Sequence, residues 1–311
     1  MTYMQAPTSS NNVKSAAAVG IVALMCLAVS AGHIAAAPRS AVSDSAAPRP
    51  AARVEVPLDA NADAVLIARE GKTRDALGFP VGFKRIGQHV LDGFENAEYD
   101  EVTELDSAGN VQSVTQFDSK GRLLGAVRVG PAPALGLRLT QDGAVRSAQR
   151  SALAAGLAVG TPTSTEADQA TGGWTVHWAR TQGGVRVRGD ETRAQVWPDG
   201  RIQSVARTEH DLAAAPVSRS GSATARQIAG ANLERWFAGR NSGYTIQKVD
   251  LEWVGPNAAF DPAGVGAAEA PYRLAWVTEV KPSGDAANAV WLMSLFVDAG
   301  DGTIIGGDFV E

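Results

Sequence analysis

The stretch from Gly173 to Val205 restricts the fold more than any other part of the chain. Trp174, Val176 and Trp178 alternate with Thr175, His177 and Ala179, the period of a half-buried strand. Gln182-Gly183-Gly184 offers residues that tolerate positive φ, and Val185 and Val187 then resume the alternation. Gly189-Asp190 interrupts the pattern before Ala194 and Val196 restart it. Pro198-Asp199-Gly200 is a hairpin turn signal, and Ile202 opens a return strand. The pattern predicts four short strands joined by tight turns, with no reactive chemistry among them.

The 311 residues suffice for about two domains of roughly 150 residues. Hydrophobic residues make up 45% and charged residues 20%, enough apolar material to bury a core. The beginning differs from the rest. Lys14 is the lone charge before an apolar run from Ala16 to Ala31, with Val29 and Ala31 spaced as a cleavage site. Residues 1–37 are therefore expected to be a secretory signal or, uncleaved, an N-terminal anchor, which places the protein outside the cell or at its surface. A lipidated Cys26 fits less well, because the bulky Met25 precedes it. Without residues 1–37 the net charge moves from −5 to −6, since only Lys14 is lost. Such a mildly acidic chain has no electrostatic reason to seek nucleic acid. Cys26 is the single cysteine, so the exported part has no disulfide, thiol nucleophile or thiolate metal site.

Residues 38–56 read as a linker rich in Ala, Pro and Ser. Residues 57–135 form an N-terminal region with a β-meander. In it Ala64, Val65, Leu66 and Ala68 suggest a short helix, and Leu77 to Phe83 a loop with buried apolar anchors. A repeat aligns Asp106, Ser107, Gly109 and Val111 with Asp118, Ser119, Gly121 and Leu123 at a spacing of 12. Each copy is strand, Asp-Ser-x-Gly turn, strand. Calcium loops would need denser carboxylates, so structural turns are expected. Helical spacing of Val145, Ala148, Ala152 and Ala155 places a helix before Gly160-Thr161-Pro162. After a second linker at 211–221, Ile228, Ala229, Leu233, Trp236 and Phe237 form the stripe of another helix, capped by Ser220 or Ser222. Strand patterns follow at 244–253, 272–280 and 290–298, and a last short one begins at Thr303. The order is helix then antiparallel strands, twice.

Arg180, Gly184-Val185-x-Val187-x-Gly189-Asp190, Val196 and Asp199-Gly200 resemble the FTP domain of thermolysin and fungalysin propeptides and the related PepSY domains. Tyr272 to Trp276 and Phe296 to Gly302 resemble a second PepSY-like ending. The resemblance covers roughly residues 140–311 and leaves out the meander at 99–130; its motifs are mostly turn glycines and alternating apolar residues. It implies an α+β fold of tandem modules, each a helix packed on a curled antiparallel sheet (cystatin-like), behind a small antiparallel meander. The modules would span 136–210 and 211–311. In propeptides such a domain assists folding of the attached protease and keeps it inhibited. No His-Glu-x-x-His occurs in this sequence, and none of its residues is left for a protease domain. The resemblance therefore implies a non-enzymatic protein acting on a separate partner, such as a secreted metallopeptidase or another cell-envelope protein. A ligand-binding or scaffold module for a peptide, lipid or cell-wall fragment is the alternative.

No catalytic, cofactor or metal residues stand out. Four histidines, His33, His89, His177 and His210, lack zinc-ligand spacing. No nucleophile elbow or phosphate loop occurs. Arg180, Arg186, Arg188 and Arg193 form a local basic cluster. Arg186 and Arg188, two apart, project from one strand face, either solvated beside Asp190 and Glu191 or offered to an acidic partner. Among seven tryptophans, Trp174, Trp178, Trp276 and Trp291 fit core strand positions. Trp197, directly before Pro198, is expected to be exposed as a binding anchor. Arg186, Arg188 and Trp197 are thus the candidate partner-binding residues.

Overall fold

The computed structural model describes residues 53–92, 97–131, 133, 138–239, 241–257, 259–260, 271–288 and 290–310. The expected signal or anchor at 1–37, with Cys26, and nearly all of the 38–56 linker lie outside these residues. The strands are β1 (Arg53–Pro57), β2 (Lys84–Asp92), β3 (Ala97–Leu105), β4 (Val111–Phe117), β5 (Leu123–Arg128), β6 (Ser164–Asp168), β7 (Gly173–Gln182), β8 (Val185–Val196), β9 (Ile202–Arg207), β10 (Ser242–Val254), β11 (Arg273–Gly284), β12 (Leu292–Asp298) and β13 (Ile304–Val310). The helices are α1 (Ala60–Leu77), α2 (Gln141–Ala154) and α3 (Ser222–Phe237).

Tandem helix-on-sheet modules behind a separate meander are not what these elements build. The thirteen strands join in one mixed sheet, ordered β1-β2-β3-β4-β5-β9-β8-β10-β11-β12-β13, with β7 and then β6 branching from β8. The meander is part of it because β5 pairs with β9 at Gly125↔Ala206, Ala126↔Val205 and Val127↔Ser204. The 173–205 stretch forms three strands rather than four, since Gly189-Asp190 bends β8 without ending it. Chain contacts divide the described residues into two compact units, one of 53–178 with 192–207 and one of 179–191 with 208–310.

In the first unit α1 begins where the Asp59 carboxylate accepts the N–H groups of Asn61 and Ala62, and it ends at Gly78 in the left-handed conformation, φ 65°. It is far longer than the short helix its apolar residues suggest, because its buried face carries Glu70, Thr73 and Arg74 beside Leu66 and Leu77. On α2, Ala144, Ala148 and Ala152 are fully buried, so small side chains bring the helix close to its neighbours. Both helices share one core with Val102, Phe117 and Leu123 of the meander and Val176, Val196 and Val205 of the later strands. Burying these residues together is what denies the meander a separate existence. The two repeated turns form as expected. Asp106 accepts from the N–H groups of Ala108 and Asn110, Asp118 from those of Lys120 and Arg122, and Gly109 and Gly121 adopt positive φ. The loop after α1 differs from expectation: Leu77 and Phe79 are buried, but Val81 and Phe83 face solvent.

In the second unit Ala225, Ala229, Leu233 and Phe237 of α3 pack on Val280, Met293, Leu295 and Val297 of the sheet. Gly221, rather than a serine side chain, occupies the N-cap of α3. The outer edge of β13 is occupied by Asn257. Its backbone N–H donates to the Ile305 carbonyl (3.0 Å), its Nδ2 donates to the Gly307 carbonyl (3.0 Å), and its Oδ1 accepts the Gly307 N–H (3.0 Å). A Cβ on Gly307 would overlap the Ser294 carbonyl oxygen and stand 2.6 Å from the Phe260 ring. Gly307→Ala is therefore expected to cost about 1–3 kcal/mol by overpacking against a backbone atom that cannot yield. A urea denaturation midpoint unchanged from the wild type would refute it.

Candidate functional site

Of the residues that carry the family resemblance, those from Arg180 to Asp190, Tyr272 to Trp276 and Phe296 to Gly302 lie in the second unit, and Val196, Asp199 and Gly200 in the first. The β7–β8 hairpin turns at Gly183 and Gly184, with φ 59° and 78°. Val187 is fully buried and bridges to Trp253 of β10. Simple alternation would then point Asp190 outward. Gly189 adopts φ 79°, a region that favours glycine, and the inward parity changes there: Val187 is buried before it, and Asp190, Thr192, Ala194 and Val196 after it.

Asp190 is thereby turned into the protein with its carboxylate fully buried. Its Oδ2 accepts from Arg180 Nη1 (2.8 Å) and from the His210 backbone N–H (2.9 Å), while its Oδ1 lies 2.5 Å from His210 Nδ1. Arg180 Nη1 also donates to the His210 carbonyl (2.7 Å). The imidazole stacks on Tyr272 with ring centroids 4.3 Å apart and planes 13° apart. Burial, with the charges of Asp190 and Asp308 added, pushes the Tyr272 phenol up to about 12, so it stays a neutral hydroxyl. Beside this cluster, Arg188 Nε donates to Asp308 (2.9 Å) and its Nη1 to Glu252 (3.1 Å), and the guanidinium lies 5.5 Å from the centre of the Phe296 ring. Burial alone would lower the Arg188 pKa, but the Asp308 and Glu252 charges outweigh it and hold it above its ordinary value.

The three candidate partner-binding residues therefore part company. Arg186 is exposed on β8. Arg188 is spent on its own unit's carboxylates. Trp197 lies in the first unit and is only 2% exposed, between the guanidinium groups of Arg128 (5.4 Å) and Arg201 (5.2 Å). The turn after it was the reason to expect exposure, and the cation–π contacts bury it instead. Trp291, expected in the core, is 66% exposed. His177 is half-buried on β7, and His89 pairs with Asp100 (2.9 Å) and Glu98 (3.2 Å). Nothing local in the sequence marks His210, whose partner Asp190 lies across a strand and a turn.

A second constellation that sequence patterns did not flag lies in the first unit. Glu70 of α1 and Glu104 of β3 both have fully buried carboxyl groups. Arg74 Nη1 donates to Glu104 (2.9 Å) and stands 3.8 Å from Glu70, and Arg85 approaches both at 3.6 and 4.0 Å. Glu104 also accepts the Gly82 backbone N–H. Among the described residues neither Glu70 oxygen has a hydrogen-bond partner. Burial first, and then the Glu104 charge, pushes the Glu70 carboxyl up to about 7 against the pull of Arg74 and Arg85.

No protein-family model matches the sequence, and no curated protein matches it. Among solved structures the chain is similar to the C-terminal domain of Bacillus megaterium YpeB. The identity is 11%, over 82% of this chain and 99% of that one, with a TM-score of 0.43.

Proposed function

We propose that the chain is a non-enzymatic PepSY/FTP-like module that binds and inhibits a separate peptidase of the cell envelope. The observation that supports this reading is the inward commitment of the motif residues. Arg180 and Asp190 are consumed in one buried network and Arg188 in another, so these motif residues build a scaffold. Function then falls to what the scaffold holds outward. The pocket alternative has less behind it, since Arg188 is ion-paired and Trp197 buried.

The full chain titrated against thermolysin and other secreted zinc metallopeptidases is expected to form a stoichiometric complex and to slow hydrolysis of a peptide substrate. A panel in which no enzyme binds and no rate changes would sink this function.

A further inference from the structure

The crossover between β9 and α3 is anchored at two points and free between them. At its start the His210 backbone is held by Asp190 and Arg180. Asp211 and Ala213 then bond to Tyr272 as a short parallel bridge: the Tyr272 N–H donates to the Asp211 carbonyl (2.8 Å), and the Ala213 N–H to the Tyr272 carbonyl (2.8 Å). At its end the Ser220 N–H donates to the Ala299 carbonyl (2.8 Å), and the Ser220 carbonyl accepts Trp276 Nε1 (2.9 Å). From Ala214 to Arg219 no main-chain group bonds to another described residue, and every residue but the half-buried Pro216 is exposed. Val217 is 108% exposed, a fully solvated apolar side chain. Between Asp211 and Ser220 there is no glycine, and Pro216 fixes one φ, so the anchored segment has few conformations open to it.

We propose that Ala214–Arg219 is the segment this module offers to the peptide-binding cleft of its target peptidase, an inference that rests on the inhibitor reading above. A cleft that binds extended peptides takes main-chain N–H and C=O groups for affinity and alternate small or apolar side chains for selectivity. This segment supplies both, with Ala215 and Val217 two apart. Anchoring at both ends meets much of the ordering cost in advance, which is how a short segment binds tightly. The run bends at Val217 and Ser218, so it fills fewer subsites than six fully extended residues, which would reach about 20 Å.

The test uses the full chain with thermolysin as the probe. Ala215→Asp and Val217→Asp, both at exposed positions, are each expected to weaken binding at least tenfold, while Val65→Asp on α1 leaves it unchanged. In the complex the amide hydrogens of residues 214–219 are expected to exchange at least tenfold more slowly. Wild-type binding with neither effect overturns the segment's role and leaves the inhibitor reading standing. Rapid cleavage within 214–219 also overturns it, because the segment is then a substrate. Absence of any wild-type binding removes the inhibitor reading and the segment's role with it.

Discussion

Arg180→Leu is expected to destabilise the protein by about 3 kcal/mol, the lower end of the cost of breaking a buried ion pair. The asymmetry between the partners sets the sign. Asp190 has a fully buried carboxylate, whereas Arg180 keeps 27% of its side chain in solvent. Removing the arginine leaves a fully buried carboxylate with only the backbone N–H and the imidazole of His210 against it. Removing the carboxylate lets the arginine rehydrate. Adding Asp190→Asn to the Arg180→Leu background should therefore recover part of the loss, because an amide can still accept the His210 N–H and is cheaper to bury than a carboxylate that has lost its guanidinium. Urea denaturation of both single variants and the double variant reads this as a coupling above about 1 kcal/mol. An Arg180→Leu variant within a few tenths of a kcal/mol of the wild type would mean that the buried network is not what holds the crossover.

The Glu70–Glu104 pair gives the second large effect, as a dependence of stability on pH. The Glu70 carboxyl is raised from 4.5 to about 7 in the folded protein, so between those values the native state binds more protons than the unfolded chain. Stability from this group is fully present below about pH 4.5, falls as pH rises and is gone above about 7. The span corresponds to roughly 3 kcal/mol. Glu70→Gln keeps the shape and removes the titration. The variant should match the wild type near pH 4.5 and exceed it near pH 8 by up to that amount. The difference between the two proteins is the quantity to follow, since other groups titrate in both. Parallel pH profiles for wild type and variant would dispose of the raised Glu70 carboxyl.

What the sequence disclosed, and what it hid, follows from the range of the interactions. The alternation around Trp174, Val176 and Trp178 and the turns at Asp106 and Asp118 involve neighbours along the chain, and they formed as read. Helix α2 announced itself because its buried stripe is all alanine. Helix α1 did not, because half of its buried face is Glu70, Thr73 and Arg74, residues that a hydrophobic period discounts and that only β3 and Arg85 make tolerable. The pairing of β5 with β9, which merged meander and module, depends on residues far apart in sequence and left no local mark. Trp197 was misplaced for the same reason: Arg128, one of the two cations that cover it, arrives from a different strand. The candidate site was half legible. Gly189-Asp190 stood out as a break, but a break alone does not tell whether the aspartate points to solvent or to the interior.

With Asn257 acting as one residue's worth of strand on β13, two copies that meet along that edge find its hydrogen-bonding groups at Ile305 and Gly307 already spent. Stacking of copies through this edge would first have to strip the asparagine away and leave those groups bare. At high concentration that is an energetic barrier to fibre growth, set by an asparagine on the edge of β13 rather than by surface charge.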